Sequence, residues 1–361
     1  GCIVGGELDL LKILKQFIKL GKIKFMSKRI LTVYHENWDE EPFAISRSNS
    51  DNFDVVVVVV EQNGFKGWGE STPTGRYKEN VEQTSSLIEN YREKIEKGIS
   101  RIEIQSVMPK GAARNAVDCA LWDLEAKMAS KRIWELEEVS EHLLKGNLFE
   151  PEIATTVYSL GLETPKIMGK MAKKNSKRPI LKIKLTGDGD LDRINYIRKN
   201  APDSRLIVDA NEGWEINHYQ NFIPEFVKLG VELIEQPFPA ENDNLLKELD
   251  HPIPICADES CHDRTDLPNL IGLYEFINIK LDKTGGLTEA IHLQNEAESK
   301  GFKTMVGCMS CTSLGIAPAF IIAQRAKIVD LDAPLYLYDD RNSPIKYDLS
   351  KVYPPKRDLW G

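Results

Sequence analysis

Ile180-Leu181-Lys182-Ile183-Lys184-Leu185 is the stretch that decides how this chain is read. Its apolar residues are those of a buried strand, and Lys182 and Lys184, two apart, point to the same side of it. A strand otherwise built of Ile and Leu does not need two inward lysines for stability. Downstream, β-type segments end on charge again and again: Val208-Asp209-Ala210-Asn211, Glu235-Gln236-Pro237, Ala257-Asp258-Glu259-Ser260, Ile279-Lys280-Leu281 and Asp330-Leu331-Asp332.

The spacing of these segments predicts the fold. Strands are expected at Ala154–Ser159, Ile180–Leu185, Arg205–Asp209, Val231–Glu235, Ile255–Asp258, Phe276–Lys280, Lys303–Val306 and Ile328–Asp332, each followed by a helical segment. The interval is roughly 22–28 residues, one βα unit of a parallel barrel, and eight units close it. The charged residues then cluster at the C-terminal ends of the strands, the active-site face of such a barrel. A single Asp after a strand is often only a helix N-cap. Five consecutive strands with charged ends are not explained that way, because lysines cannot accept from helix amides.

Upstream, residues 26–136 carry a different rhythm. Ile30–Glu36, Val55–Gln62 and Lys66–Glu70 read as strands, with Asn63-Gly64 as a hairpin turn. Lys78–Lys97 and Ala112–Ala129 read as helices, and Ser46–Asn52 as a mobile polar loop. Strands first and helices after indicate an α+β unit. Residues 137–151 are polar and poorly periodic and mark the boundary before the barrel, 150–332. The Pro-rich residues 333–361 are expected to pack back onto the first domain. Residues 1–25 read as a basic amphipathic helix without the order of a secretory signal, and Met26 can serve as a start; a membrane-surface role is the lesser reading.

Composition bounds the function. The 361 residues are 42% hydrophobic and carry a net charge of −8, so the molecule as a whole draws neither nucleic acid nor an anionic membrane. The longest apolar run, Val55–Val60, is too short to span a bilayer. Six cysteines, Cys2, Cys119, Cys256, Cys261, Cys308 and Cys311, suit a reducing, cytoplasmic compartment. Small residues at strand ends are the preferred reading of Cys308-x-x-Cys311, over a redox or zinc site.

Three converging carboxylates, Asp209, Glu235 and Asp258, repel one another in a low-dielectric site, and a divalent cation resolves this. Oxygen ligands without His or thiolate favour Mg²⁺, with Mn²⁺ a usable substitute. Lys184 and Lys280 then suggest proton transfer at a carbon α to a carboxylate. That proton lies on the order of 20 pKa units above a lysine, roughly 27 kcal/mol, so metal stabilisation of the carboxylate is required. Crowding by Lys182 and the metal is expected to lower the lysine pKa values toward neutrality. One lysine on each face of the substrate means racemisation or epimerisation.

In these motifs, from about Met26 to Gly361, the chain resembles the enolase superfamily, muconate-lactonising subgroup, where a Lys base with Mg²⁺ is an established arrangement. The resemblance implies a modified TIM-type (β/α)7β barrel with an N-terminal α+β capping domain. Asp330-Leu331-Asp332-Ala333-Pro334-Leu335 is similar to the dipeptide epimerases of that subgroup, above all those acting on L-Ala-D/L-Glu in murein peptide metabolism. In that family the two aspartates bind the dipeptide's free ammonium. The resemblance further implies that Arg47 pairs a glutamate side chain and that Thr156 and Cys308 touch substrate. Thr74 stands where an aromatic is expected and Lys78 where Gly is expected, so side-chain specificity stays open, as does homo-oligomerisation. A lyase of the same subgroup, or an N-acylamino-acid racemase, would leave Asp330 and Asp332 without an ammonium partner. Acid-sugar dehydratases need a His base, and the six histidines (His35, His142, His218, His251, His262, His292) fall in helices or loops on this reading. A barrel kept as a binding module would show damage to the metal or lysine set.

Overall fold

The computed structural model describes residues 28–361, so the amphipathic segment, Cys2 and Met26 lie outside it. The capping unit is a three-stranded antiparallel sheet, β1 (Ile30–Ile45), β2 (Ser48–Gln62) and β3 (Phe65–Ser71), in that order. Asn63 and Gly64 turn between β2 and β3 with φ of 54° and 80°, the left-handed pair that a tight hairpin requires. Val56, Val58 and Val60 pack on the helix Ala112–Met128, while Val55, Val57 and Val59 bury the opposite face with Phe53. That explains an uninterrupted valine run in an antiparallel strand. Gly67 and Gly69 let β3 press on the helix, since a Cβ there would stand 2.0 Å from the Ala120 carbonyl or 1.9 Å from that of Ala116.

Three details differ from expectation. Ser46–Asn52 is not a free loop: β1 and β2 continue into a long hairpin with Ile45 opposite Ser48 and Phe43 opposite Ser50. Backbone pairing ordered this polar stretch, and composition does not report backbone pairing. The helix expected at Lys78–Lys97 is broken at Tyr91 into Val81–Asn90 and Arg92–Glu96, with a further capped helix at Arg101–Val107. Residues 137–151 hold a helix, Glu137–Leu144, seated by Val139, His142 and Leu143.

The barrel follows. The first expected strand is split. β4 (Ala154–Thr155) joins a small sheet, and β5 (Tyr158–Leu160) opens the barrel. Then come β6 (Ile180–Lys184), β7 (Arg205–Asp209), β8 (Val231–Glu235), β9 (Ile255–Ala257), β10 (Phe276–Ile279), β11 (Lys303–Val306) and β12 (Ile328–Val329), all parallel and in sequence order. The Val157 amide donates to the Val329 carbonyl at 2.8 Å, closing the ring. β13 (Tyr347–Asp348) and β14 (Lys351–Val352) pair outside it with β4. The tail also reaches the cap, where the Trp360 indole donates to the Cys119 carbonyl at 3.0 Å.

Inside the ring, one side chain from each barrel segment forms an apolar floor: Val157, Ile180, Ile207, Leu233, Cys256, Phe276, Met305 and Ile328. Two residues further along, at the next inward position, stand Ser159, Lys182, Asp209, Glu235, Asp258, Asn278, Gly307 and Asp330. The change from apolar to charged therefore occurs across a single layer of the barrel.

Candidate active site

Lys182 lies at the centre of the charged layer, 1% exposed. Its ammonium donates to Asp330 Oδ2 at 2.6 Å and stands 2.6 Å from Glu235 Oε2 and 3.2 Å from Asp209 Oδ2. Lys184 donates to Asp209 Oδ2, and Lys280 to Asp258 Oδ2, each at 2.7 Å. The five residues at the strand ends therefore do converge, and Lys182 links them to Asp330. Gly307 is required beside Lys280, because a Cβ there would meet the Asn278 side chain at 2.7 Å and the lysine's Cε at 2.9 Å.

Burial pushes the carboxyls up and the lysines pull them down, with unequal results. Asp209 is held down at about 2, since Lys184 and Lys182 outweigh its burial. Asp258 lies well below the usual carboxylate range because Lys280 and a second lysine, Lys283, outweigh its burial. Glu235 goes the other way, to about 7, through burial and the charge of Asp209. The expected lowering of the lysines is not what the chain's own charges produce. Burial lowers Lys182 and Lys280, but the carboxylates in contact overcome it and raise both above the ordinary lysine value. A free base at either position needs the carboxylates to be engaged elsewhere.

The donor set fits a hard divalent cation. Asp209, Glu235 and Asp258 supply oxygen alone, and all are at most 1% exposed. Glu235 Oε2 is buried with no hydrogen-bond donor, since the nearby Lys182 ammonium lies outside hydrogen-bond geometry. As they stand, among the described residues, no three such groups are gathered around one point, and the lysine ammoniums lie against the carboxylates instead. An ion taken up here would displace ammonium from carboxylate, which also frees the lysines.

A cavity of about 310 Å³ opens above these groups, bounded by Lys184, Lys280, Asp330, Asp332, Cys308 and Arg47 among others. Asp332 accepts from the Ser159 amide at 2.7 Å and lies 3.1 Å from the Tyr336 hydroxyl. Burial and the neighbouring Asp330 push it up to about 7. Arg47, at the hairpin tip, donates to Glu259 Oε1 at 2.8 Å and to the Asn211 carbonyl at 3.2 Å. It therefore has a carboxylate partner within the chain. Thr156 does not line the cavity: it is fully buried, and its hydroxyl accepts the Leu331 amide at 2.9 Å, seating the backbone between the two aspartates. Ser159 lines the cavity in its place. Cys308 lines it too, its thiol 3.4 Å from the Asp330 carbonyl.

Thr74 and Lys78, the two departures in the cap, are accounted for in part. Thr74 lines the cavity and accepts the Arg76 amide, and Lys78 sits at φ 60°, a conformation that favours glycine. Five cysteines, Cys119, Cys256, Cys261, Cys308 and Cys311, carry free thiols. His35 lies on β1 rather than in a helix or loop, and no histidine lies on a barrel strand. Sequence reading missed Lys283 and Asn278, although Asn278 is two residues from Lys280 and therefore shares its face. No described helix is long and apolar enough to cross a membrane.

A closed parallel barrel with acidic strand ends, facing lysines and an α+β cap defines an enolase-type enzyme, and comparison agrees. The family model described as "Enolase C-terminal domain-like" matches residues 168–355, and "Mandelate racemase / muconate lactonizing enzyme, N-terminal domain" matches 28–136. The chain belongs to the enolase superfamily, in the group that holds the dipeptide epimerases. An L-Ala-D/L-Glu epimerase of Escherichia coli is 40% identical, covering 90% of this chain and 99% of its own. An N-acetyl-D-glutamate racemase of Pseudoalteromonas is 39% identical, covering 85% and 95%. A crystal structure from Agrobacterium tumefaciens, an enolase family member with homology to dipeptide epimerases and bound sodium and L-Ala-L-Glu, superposes with a TM-score of 0.88. It is 43% identical, covering 92% of this chain and 100% of that one.

Proposed function

We propose that this enzyme epimerises dipeptides at the α-carbon of the C-terminal residue, with L-Ala-D/L-Glu as substrate, in cytoplasmic turnover of murein peptides. The observation that carries the chemistry is the placement of Lys184 and Lys280. β6 and β10 are four strands apart in a ring of eight, so the two ammoniums approach the cavity from opposite walls. Lys184 takes the α-proton on one face and Lys280 returns a proton on the other. Asp209, Glu235 and Asp258 would hold Mg²⁺, with Mn²⁺ a substitute. The bound ion supplies the positive charge that a deprotonated α-carbon's carboxylate needs. Lys182 keeps Asp330 and the ligand carboxylates in register. Asp330 and Asp332 hold the substrate ammonium, and Arg47 turns from Glu259 to the substrate's side-chain carboxylate.

L-Ala-L-Glu incubated with Mg²⁺ in D₂O is expected to exchange its glutamyl α-proton and to form L-Ala-D-Glu. Full epimerisation by Lys184→Ala would end the two-base assignment. The N-acetyl-D-glutamate racemase among the relatives supports a second reading, an N-acylglutamate racemase, which needs the same lysines and carboxylates. Two inward aspartates at the amine end count against it, because an acetyl group offers them no charge. Relative kcat/KM for L-Ala-L-Glu and N-acetylglutamate decides between the two.

A further inference from the structure

Each of the three carboxylates has one oxygen already engaged by a donor from the chain. Asp209 Oδ1 accepts the Asn211 amide at 2.9 Å. Glu235 Oε1 accepts the Asn278 side-chain amide at 2.8 Å. Asp258 Oδ1 accepts the Lys283 ammonium at 2.8 Å. The other oxygen of each, Asp209 Oδ2, Glu235 Oε2 and Asp258 Oδ2, is the one that faces Lys182, Lys184 or Lys280. The division repeats on three consecutive strands.

Lys283 is the unusual member of the set. Its side chain is 0% exposed, and its three bonds are all made, to Asp258 Oδ1, to the Asp258 carbonyl at 2.6 Å and to the Asn278 carbonyl at 2.9 Å. It thereby ties the donor on Glu235 to the ligand Asp258. The turn that carries it is held from the cap: Arg114 donates to the Thr284 and Gly285 carbonyls at 2.7 and 3.1 Å, and Asn115 donates to Asp282 at 2.9 Å. Lys283 does not line the cavity of about 310 Å³ above the carboxylates. Although it borders a separate cavity beside Tyr77 and His262, its ammonium is wholly spent on its three bonds behind Asp258.

We propose that Lys283 and Asn278 are positioning residues that make Asp258 and Glu235 one-oxygen ligands and so select a small six-coordinate cation over calcium. This rests on the reading of Asp209, Glu235 and Asp258 as the metal ligands. Calcium takes six to eight oxygens and often a carboxylate through both of its own, whereas Mg²⁺ demands an octahedron. With one oxygen of each carboxylate withdrawn, the chain offers three oxygens and leaves the rest of a six-fold shell to water and substrate. Removing the ammonium of Lys283 also removes repulsion toward any dication. That effect is common to Mg²⁺ and Ca²⁺ and cancels in their ratio.

The test is calorimetric titration of the full chain, without substrate, with MgCl₂ and with CaCl₂. Lys283→Met and Asn278→Ala are each expected to shift the ratio of Mg²⁺ to Ca²⁺ affinity toward Ca²⁺ by roughly tenfold, the lower end of what outer partners of a metal ligand contribute. Lys283→Arg, which keeps a donor on Oδ1, is expected to recover part of the shift. A purely structural Lys283 would lower stability and leave the ratio at the parental value, and that result overturns the inference. If Lys283→Met does not fold, Asn278→Ala decides alone, through Glu235. Asp258→Asn separates the two levels. If it binds Mg²⁺ as the parent does, the ligand assignment falls and takes this inference with it. If it loses the ion while the positioning variants keep the parental ratio, only the selectivity inference falls.

Discussion

Asp332→Asn is the substitution that most directly separates a dipeptide enzyme from an N-acyl one. Of the two aspartates at the amine end, Asp330 is already neutralised by Lys182 at 2.6 Å. Asp332 has no ion pair among the described residues; it rests on an amide and a tyrosine hydroxyl and is pushed up to about 7. Its charge is the uncompensated one, so on the proposed function the substrate ammonium pairs chiefly with it. A hydrogen bond to a charged group contributes about 1.5–3 kcal/mol, which corresponds to a loss of roughly 10- to 150-fold in kcat/KM. Asn keeps the volume and an acceptor for the Ser159 amide, so the fold should be little disturbed. The assay is α-proton exchange in D₂O followed by mass spectrometry, with L-Ala-L-Glu beside N-propionyl-L-Glu, the same molecule without its ammonium. The variant should lose the stated factor on the dipeptide and change less than about threefold on the propionyl compound, since no charged contact is lost there. Equal losses on both substrates would refute the assignment of the ammonium to Asp332.

Two further outcomes concern stability. Arg341→Met strands Glu70, which is buried against Thr312 and also paired by Arg341 at 2.7 Å, and should cost about 3–5 kcal/mol in thermal unfolding. Adding Glu70→Gln should restore more than half of it, and a single-variant cost under about 1 kcal/mol would contradict the reasoning. His142 is held at about 3 by burial and by Arg325 and Lys145. Its folded pKa is below the unfolded one, so its contribution is complete above pH 6.5 and is lost as pH falls toward 3, at most about 1.4 kcal/mol per unit. His142→Gln should flatten that acid limb, and an unchanged slope in acid unfolding curves would show that other groups set it.

The barrel and its charged rim were legible because they obey one rule, inward residues at every second position. Ile180, Lys182 and Lys184 carry that rule within one strand. The donors behind the rim were not legible. Lys283 follows β10 in a helical turn, and its partner Asp258 is 25 residues away in sequence, so no local period connects them. Arg47 was legible as a charge and not as a pair, because Glu259 reaches it only through the long hairpin. Thr156 carried the right address and the wrong orientation. Thr156 stands one residue before the inward-facing Val157, so alternation turns its hydroxyl to Leu331, and the cavity position falls to Ser159.

The apolar floor has a kinetic meaning. Eight side chains seal the barrel beneath Lys182, so the chamber is closed at its floor and is rimmed above by the cap hairpin, Thr72–Thr74 and Cys308–Ser310. On the proposed function, substrate, product and solvent hydrogen share that rim. On that same reading, a hydrogen lifted by Lys184 exchanges with bulk water only across that rim. The fraction of label returned to the dipeptide then compares transfer to substrate with exchange into bulk water.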